Sequence, residues 1–474
     1  MTLTLFVVVA FCHTLGFISS IHAVMSTRTS QGAIAWVVSL NTFPYVAVPA
    51  YWVLGRSRFH GYDVARRSLD TRPEQVEQHA LEMLAPFRLS EFGHYTTVRA
   101  VEALGRMPAL GGNRVDLLVD GDATFSSILD GIDQAVEYIL FQFFIVKDDG
   151  LGRRVKDHLI ARAKAGVRVY FLYDEIGSHE LPDRYLEDLR EVGIEVTEFG
   201  TRKGKGNRFQ LNFRNHRKIV VVDGRLAWIG GLNVGDEYLG KNPKFGHWRD
   251  THVRIEGPAV LEAQVSFAAD WRWAKDEVPK LRWQAQAAPG GSDTGVLIIP
   301  SGPADELETA NLMFVHAINS ARKRIWIASA YFVPDRSVIV ALQLAGLRGL
   351  DVRILIPDNP DHLLVYLAAY SYFDEAGQTG VQFYRYTRGF LHEKAMLIDD
   401  GVATIGTANF DNRSFRLNFE ITVAVSDPAF IGQVEKMFVD DFSDARLMEE
   451  GEYDRKPWWF RFGVRLARLT SPIQ

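Results

Sequence analysis

The feature that most constrains this fold is a repetition. The segment "HRKIVVVDGRLAWIGGLN" (216–233) recurs as "HEKAMLIDDGVATIGTAN" (392–409), with His, Lys, Asp, Gly and Asn kept at matching places and apolar filler changed between them. The flanks repeat as well. "YILFQFFIVKDD" is echoed by "RIWIASAYFVPD", and "THVRIEGPAVLEAQVSFAADW" by "ITVAVSDPAFIGQVEKMFVDDF". The copies are offset by about 170–186 residues. That is too long for a solenoid unit and suits a duplicated domain.

Within each copy, apolar runs such as "YILFQFFIV" and "VRVYFLYD" alternate with amphipathic stretches such as "LGRRVKDHLIARAKAG". Strands alternating with helices predict two α/β domains with mixed, largely parallel sheets flanked by helices. The first domain is expected over 113–283 and the second over 295–448, with the small, Gly-rich stretch 284–294 as linker. Residues 59–112 read as a connecting region with helical stretches. Residues 449–474 read as a C-terminal helix in which Arg455, Lys456, Arg461, Arg465 and Arg468 lie among Trp458, Trp459, Phe460 and Phe462. Such a helix suits either a membrane interface or packing on the body.

Residues 1–58 have a different character. Thr2–Met25 and Gly32–Leu54 contain no Lys, Arg, Asp or Glu. Each is about 23 residues long, enough for a helix to cross a bilayer core of ~30 Å. Together they predict a transmembrane helical hairpin. The first run lacks the basic start of a cleaved signal peptide, and Pro44 and Pro49 predict a kinked or re-entrant second pass. Arg56, Arg58, Arg66 and Arg67 follow the hairpin, whereas the loop between the runs has Arg28 alone, so the body is expected on the cytoplasmic side. His13 and His22 lie inside the apolar runs and are read as tolerated or interfacial.

The net charge of −5 is a poor match for broad nucleic-acid binding. Cys12 is the single cysteine, so neither an intrachain disulfide nor a Cys-rich metal site can form. With no His-Glu-x-x-His or Cys-x-x-Cys spacing, a zinc mechanism has no support, and no metal or cofactor is expected.

The repeated segments carry chemistry. Side chains two apart on a strand share a face, so His216 and Lys218 project together, as do His392 and Lys394. Asp223-Gly224 and Asp400-Gly401 are turn signals that open a hairpin. Counting back along the returning strands brings Asn233 beside His216 and Asn409 beside His392, while Gly230, Gly231 and Gly406 leave room for a ligand at the backbone. Imidazole, ammonium and carboxamide together suit a phosphate diester. Lysine and asparagine hold the oxygens, and histidine attacks phosphorus or shuttles a proton. Two such sets supply both a nucleophile and an acid, which gives the duplication a chemical purpose. Asp250 and Glu420 are equivalent under the repeat and are placed to orient a histidine through its far ring nitrogen. Asp223 and Asp399 complete the catalytic motif, but their parity is opposite to His and Lys, so they are expected to brace the site.

The His-x-Lys-x4-Asp skeleton followed by Gly-Gly/Ser-x-Asn resembles the signature of the phospholipase D superfamily; Thr407 stands where Gly or Ser is usual. The membrane hairpin, "SGPADELETANLMFVHAINSARKRIWIASAYFVPD" and "GTANFDNRSFRLNFE" look like bacterial cardiolipin synthases. The resemblance implies a phosphatidyltransferase of the bacterial inner membrane. One phosphatidylglycerol would be attacked by histidine, and a second would take the phosphatidyl group, giving cardiolipin and glycerol. It further implies that His216 attacks, that His392 acts as acid and then base, and that Lys218, Lys394, Asn233 and Asn409 hold the phosphate. Arg413 and Arg416 are candidates for lipid phosphate or for surface ion pairs. The competing readings are a membrane-bound phospholipase D that transfers to water and a non-catalytic lipid-binding scaffold.

Overall fold

A computed structural model describes residues 2–55, 58–62, 82–93, 98–203, 207, 211–449 and 451–474. Arg56, Arg66, Arg67 and much of the expected connecting region lie outside the described residues.

The apolar N-terminus forms three helices, α1 (Thr2–Ser26), α2 (Ser30–Thr42) and α3 (Pro44–Leu54). Among the described residues, α1 alone is long and apolar enough to cross a membrane. The expected second pass is broken at Phe43, because Pro44 has no N–H to donate and pushes the residue before it out of the α region. Phe43 accordingly has φ −139° and ψ 59°. Pro49 is accommodated inside α3. The three helices pack through Ala23, Leu40, Ala47 and Tyr51, leaving Phe6, Phe11, Phe17 and Ile21 exposed. His22 serves this packing, with Nδ1 2.6 Å from the Tyr51 hydroxyl. The hairpin is fixed to the body at its base. Arg28 donates to the carbonyls of Pro303 and Asp305, and Asn212 donates to that of Leu54.

The body repeats one series of seven strands. The first series is β1 (Leu110–Val119), β2 (Tyr138–Phe143), β3 (Arg168–Tyr173), β4 (Glu195–Glu198), β5 (Ile219–Val222), β6 (Leu226–Gly230) and β7 (Thr251–Glu256). The second is β8 (Thr294–Ser301), β9 (Arg324–Ser329), β10 (Asp351–Pro357), β11 (Gln382–Tyr386), β12 (Lys394–Ile398), β13 (Val402–Gly406) and β14 (Asn418–Ser426), with β15 (Ala445–Leu447) added at the edge. The hydrogen-bonded order is β15-β11-β10-β9-β12-β13-β14-β8-β1-β7-β6-β5-β2-β3-β4. From the central β8–β1 pair outward, the two arms have the same order, so the duplicated halves share one continuous sheet.

The expected predominance of parallel pairing is corrected. Only β2-β3-β4 and β9-β10-β11 pair in parallel within this order. The turns at Asp223 and Asp399 make β5–β6 and β12–β13 hairpins, and a two-way hairpin is necessarily antiparallel. The last strand of each series and the central β1–β8 junction are antiparallel too.

Two long helices, α4 (Val260–Lys275) and α5 (Pro428–Ser443), follow the last strand of each series. On their side of the sheet one apolar core runs through both halves, from Leu140 and Ile255 to Ile421 and Phe438. The opposite face divides into two cores, one per half. The halves are therefore joined by backbone pairing and by a shared interior.

Candidate active site

Each hairpin ends in an aspartate in the left-handed region, Asp223 at φ 53° and Asp399 at φ 50°. Aspartate tolerates this conformation better than most residues. Both carboxylates accept three backbone N–H groups at 2.8–2.9 Å, Asp223 from Val136, Glu137 and Tyr138, and Asp399 from Arg322, Lys323 and Arg324. They tie each hairpin to the start of the neighbouring strand. Neither lines the cavity at which the other groups gather.

Those groups meet where the two series face each other. His216 and His392 line one cavity of about 580 Å3 together with Asn233, Asn409, Tyr238 and Arg413. The backbone crosses between halves here: His216 N–H donates to the Phe419 carbonyl, and His392 N–H to that of Arg249. The carboxylates cross as well. Glu420 lies 2.9 Å from His216 Nδ1, and Asp250 lies 2.6 Å from His392 Nδ1. The repeat identified the two acids as equivalent. It could not reveal that each serves the histidine of the other half. With Nδ1 held by a carboxylate, Nε2 is the ring nitrogen left for chemistry.

The lysines sit beneath the imidazoles. Lys218 Nζ donates to the His216 carbonyl at 2.7 Å, and Lys394 Nζ donates to that of His392. Lys394 Nζ also stands 2.8 Å from His392 Nδ1, flanking the nitrogen that Asp250 holds. Burial dominates the proton affinities. It brings both imidazoles down to about 4, with Lys218 and Lys394 adding to the effect against the opposing carboxylates. It also brings Lys394 down to about 8 and Lys218 well below the ordinary range. Burial raises Asp250 and Glu420, but Lys394 and His392 outweigh it at Asp250, and His216 and Lys218 outweigh it at Glu420. Both carboxyls therefore end below their usual range. At neutral pH these carboxylates are ionised and the imidazoles neutral.

The glycines have a different purpose from the one expected. A Cβ on Gly231 would come within 2.0 Å of Asp250 Oδ1, one on Gly230 within 2.4 Å of the Thr251 carbonyl, and one on Gly406 within 2.5 Å of the Ile421 carbonyl. Their missing side chains make room for the neighbouring strand and for Asp250, not for a ligand. Thr407, the departure from the usual signature, donates its hydroxyl to Glu420 Oε2 at 2.5 Å.

Asn233 and Asn409 both reach the cavity but differ in their bonds. Asn233 accepts from Ile145 N–H and donates to the Tyr238 hydroxyl. Asn409 Oδ1 is buried with no partner among the described residues. Arg416 is an ion-pair residue, bound to Glu308 and Asp335, whereas Arg413 lines the cavity.

Sequence reasoning missed the aromatic walls and the buried ion pairs. Phe144 packs edge-on against His216 with ring centroids 4.9 Å apart, and Trp248 lies 5.2 Å from His392. Arg217 pairs with Asp270 of α4 and donates to the Glu420 carbonyl. Arg249 pairs with Asp441 of α5 and with Glu393, and donates to the Asp250 carbonyl. Each arginine thus fixes the backbone of one orienting carboxylate. The signal was a charged residue in the middle of each His-x-Lys, Arg217 and Glu393, just before the apolar runs Ile219–Val222 and Ala395–Ile398.

The sequence pattern of a family described as "Cardiolipin synthase, PLD-like domain" matches residues 128–271 and 314–442, one match in each half. A protein named cardiolipin synthase A from Pseudomonas fluorescens is 49% identical over 478 residues, covering 98% of this chain and 97% of the relative. A protein of the same name from Pseudomonas putida is 48% identical over 476 residues, covering 98% of each. Among solved structures, a phosphatidylserine synthase from Haemophilus influenzae superposes with a TM-score of 0.58 at 16% identity, covering 79% of this chain and 99% of that one. That likeness concerns the fold alone.

Proposed function

The chain belongs to the cardiolipin synthase family of phospholipase D-like proteins, and from that premise we propose that it is a phosphatidyltransferase that joins two phosphatidylglycerol molecules into cardiolipin and releases glycerol. The observation that carries the chemistry is the crossed pair of carboxylate-held imidazoles in one cavity.

One imidazole Nε2 attacks phosphorus, and a P–N bond forms as the P–O bond to the glycerol headgroup breaks. The other imidazole gives that oxygen a proton. The same imidazole then takes a proton from the terminal hydroxyl of the second phosphatidylglycerol, whose oxygen forms the new P–O bond as P–N breaks. Protons and bonds balance over the cycle. The two half-sites are built alike, so trapped phosphohistidine on a His216→Ala or His392→Ala variant assigns the attacking residue.

A neutral imidazole at pH 7 is ready to attack, but its partner needs a proton. A bound phosphodiester supplies the missing negative charge between two lysines, raises both imidazoles and favours one shared proton. In this reading Lys218, Lys394, Asn233 and Asn409 hold the phosphate, which the presence of both asparagines on the cavity wall supports. Transfer to an alcohol instead of water requires that water be kept from the intermediate, and an anchored protein fed by lipid meets that need. In this reading α1 spans the inner membrane, the broken α2–α3 segment returns, and the body stands on the cytoplasmic side.

Purified protein in detergent, given phosphatidylglycerol alone, is expected to yield cardiolipin and glycerol in equal amounts. Phosphatidic acid as the main product would favour the hydrolytic reading and overturn this one.

A further inference from the structure

The catalytic groups obey the internal twofold, but the cavity around them does not. At the offset that separates His216 from His392, Arg214 corresponds to Phe390 and Arg413 to Glu237. The His392 end is aromatic, with Trp248 5.2 Å and Phe390 6.0 Å from the imidazole. Its Glu237 is neutralised by Lys147 at 3.0 Å, and a further cation there, Lys244, lies 4.9 Å from the Phe245 ring. The His216 end instead has two arginines, both lining the cavity.

Main-chain carbonyls aim these two side chains. Arg214 donates to the carbonyls of Leu211 and Phe213, and Arg413 donates to that of Asn212. Among the described residues Arg214 forms no ion pair with a carboxylate. Two acids close to the pair already accept backbone N–H groups. Asp174 accepts N–H groups from Ile176, Gly177 and Asn215, and Asp411 caps the short helix Asn412–Arg416 through Ser414 N–H. Burial pushes Asp174 up to about 7 and Asp411 up to about 6. Burial, reinforced by the charge of Arg413, brings Arg214 down to about 10. Two like charges in a partly desolvated cavity stabilise one ligand class above others, an anion whose oxygens match the guanidinium fork.

We propose that Arg214 and Arg413 form a second phosphate subsite, which holds the phosphodiester of the acceptor lipid while its terminal hydroxyl reaches the phosphatidyl-histidine. The inference rests on the transferase reading above. It adds the residues that make a charged lipid, and not any alcohol, the preferred acceptor.

The test is a competition. Wild type, Arg214→Gln and Arg413→Gln receive phosphatidylglycerol with 1-butanol, a neutral acceptor, and the ratio of cardiolipin to phosphatidylbutanol is measured. Loss of one charge-assisted contact is expected to lower the ratio by about tenfold or more, with Arg214→Lys in between. Because both products need the same histidines, the ratio cancels any general damage to the site. A ratio unchanged from wild type, with both products falling together, overturns the subsite and leaves the transferase reading intact. A wild type that makes no cardiolipin at all overturns that reading and the subsite with it.

Discussion

The two half-sites reach the same end by different means. At His392 the orienting acid is the shorter aspartate, Asp250, and Gly231 beside it has no side chain, because a Cβ there would strike the carboxylate. At His216 the acid is the longer glutamate, Glu420, and Thr407 stands at the position of Gly231 and donates to it. Asn418 donates to the other oxygen at 3.1 Å. One half-site thus fixes its carboxylate by close backbone approach and the other by added hydrogen bonds. A duplicated site can keep its chemistry while exchanging space for hydrogen bonds, provided acid and neighbour change together.

Replacing either histidine by alanine is expected to lower turnover by about 10⁴-fold or more, since neither half-site can both attack and protonate. Full activity in either variant, measured as cardiolipin formed from phosphatidylglycerol, would refute the paired mechanism. Asp250→Asn and Glu420→Gln are expected to cost about 10²–10⁴-fold in kcat, because an amide opposite Nδ1 imposes the wrong tautomer. Unequal losses, read together with pH profiles, would reveal which imidazole carries the proton. Gly231→Ala is expected to cost about 1–3 kcal/mol of stability in urea unfolding, whereas the mirror change Thr407→Gly meets no clash and should cost less. Thr407→Val keeps the volume and removes the hydroxyl, for a loss of about tenfold in kcat. If Gly231→Ala unfolds no more easily than Thr407→Gly, the difference between the half-sites is not one of space.

The smallest effect is the dependence on pH. Both imidazoles have folded values of about 4 against an ordinary 6.5. Their contribution to stability is therefore whole above 6.5 and is lost as the pH falls through 4. Asp250 and Glu420, held below their usual range, lose their contribution in the same direction. Wild type should lose more stability between pH 7 and pH 4.5 than a His216→Gln, His392→Gln double variant. Binding of a phosphate analogue such as vanadate should raise the imidazoles and take up protons, seen in calorimetry as a dependence on buffer ionisation heat.

Much of the site was legible because it rests on local rules. Strand parity separated Asp223 and Asp399 from the reacting groups, and the turn signals placed Asn233 and Asn409 at the cavity. The repeat brought out Asp250 and Glu420. What escaped was set by distant contacts. The sequence alignment gave equivalence but not partnership, so the crossing of Glu420 to His216 and of Asp250 to His392 had no local trace. The role of Gly231 depends on a side chain 19 positions later. The parallel pairing was overestimated because the βαβ runs are conspicuous in sequence, while the antiparallel centre of the sheet comes from strands far apart. The prolines of the second apolar run predict a kinked or re-entrant pass, and the break falls at Phe43, before Pro44.

The crossing of the acids also bears on the order of synthesis. His216 leaves the ribosome well before Glu420, its partner 204 residues later in the chain. Until the second half is made and paired through β1–β8, the first imidazole has neither its orienting carboxylate nor a counterpart to protonate a leaving group. On the paired mechanism proposed above, a nascent or truncated chain has no complete site until its second half is in place.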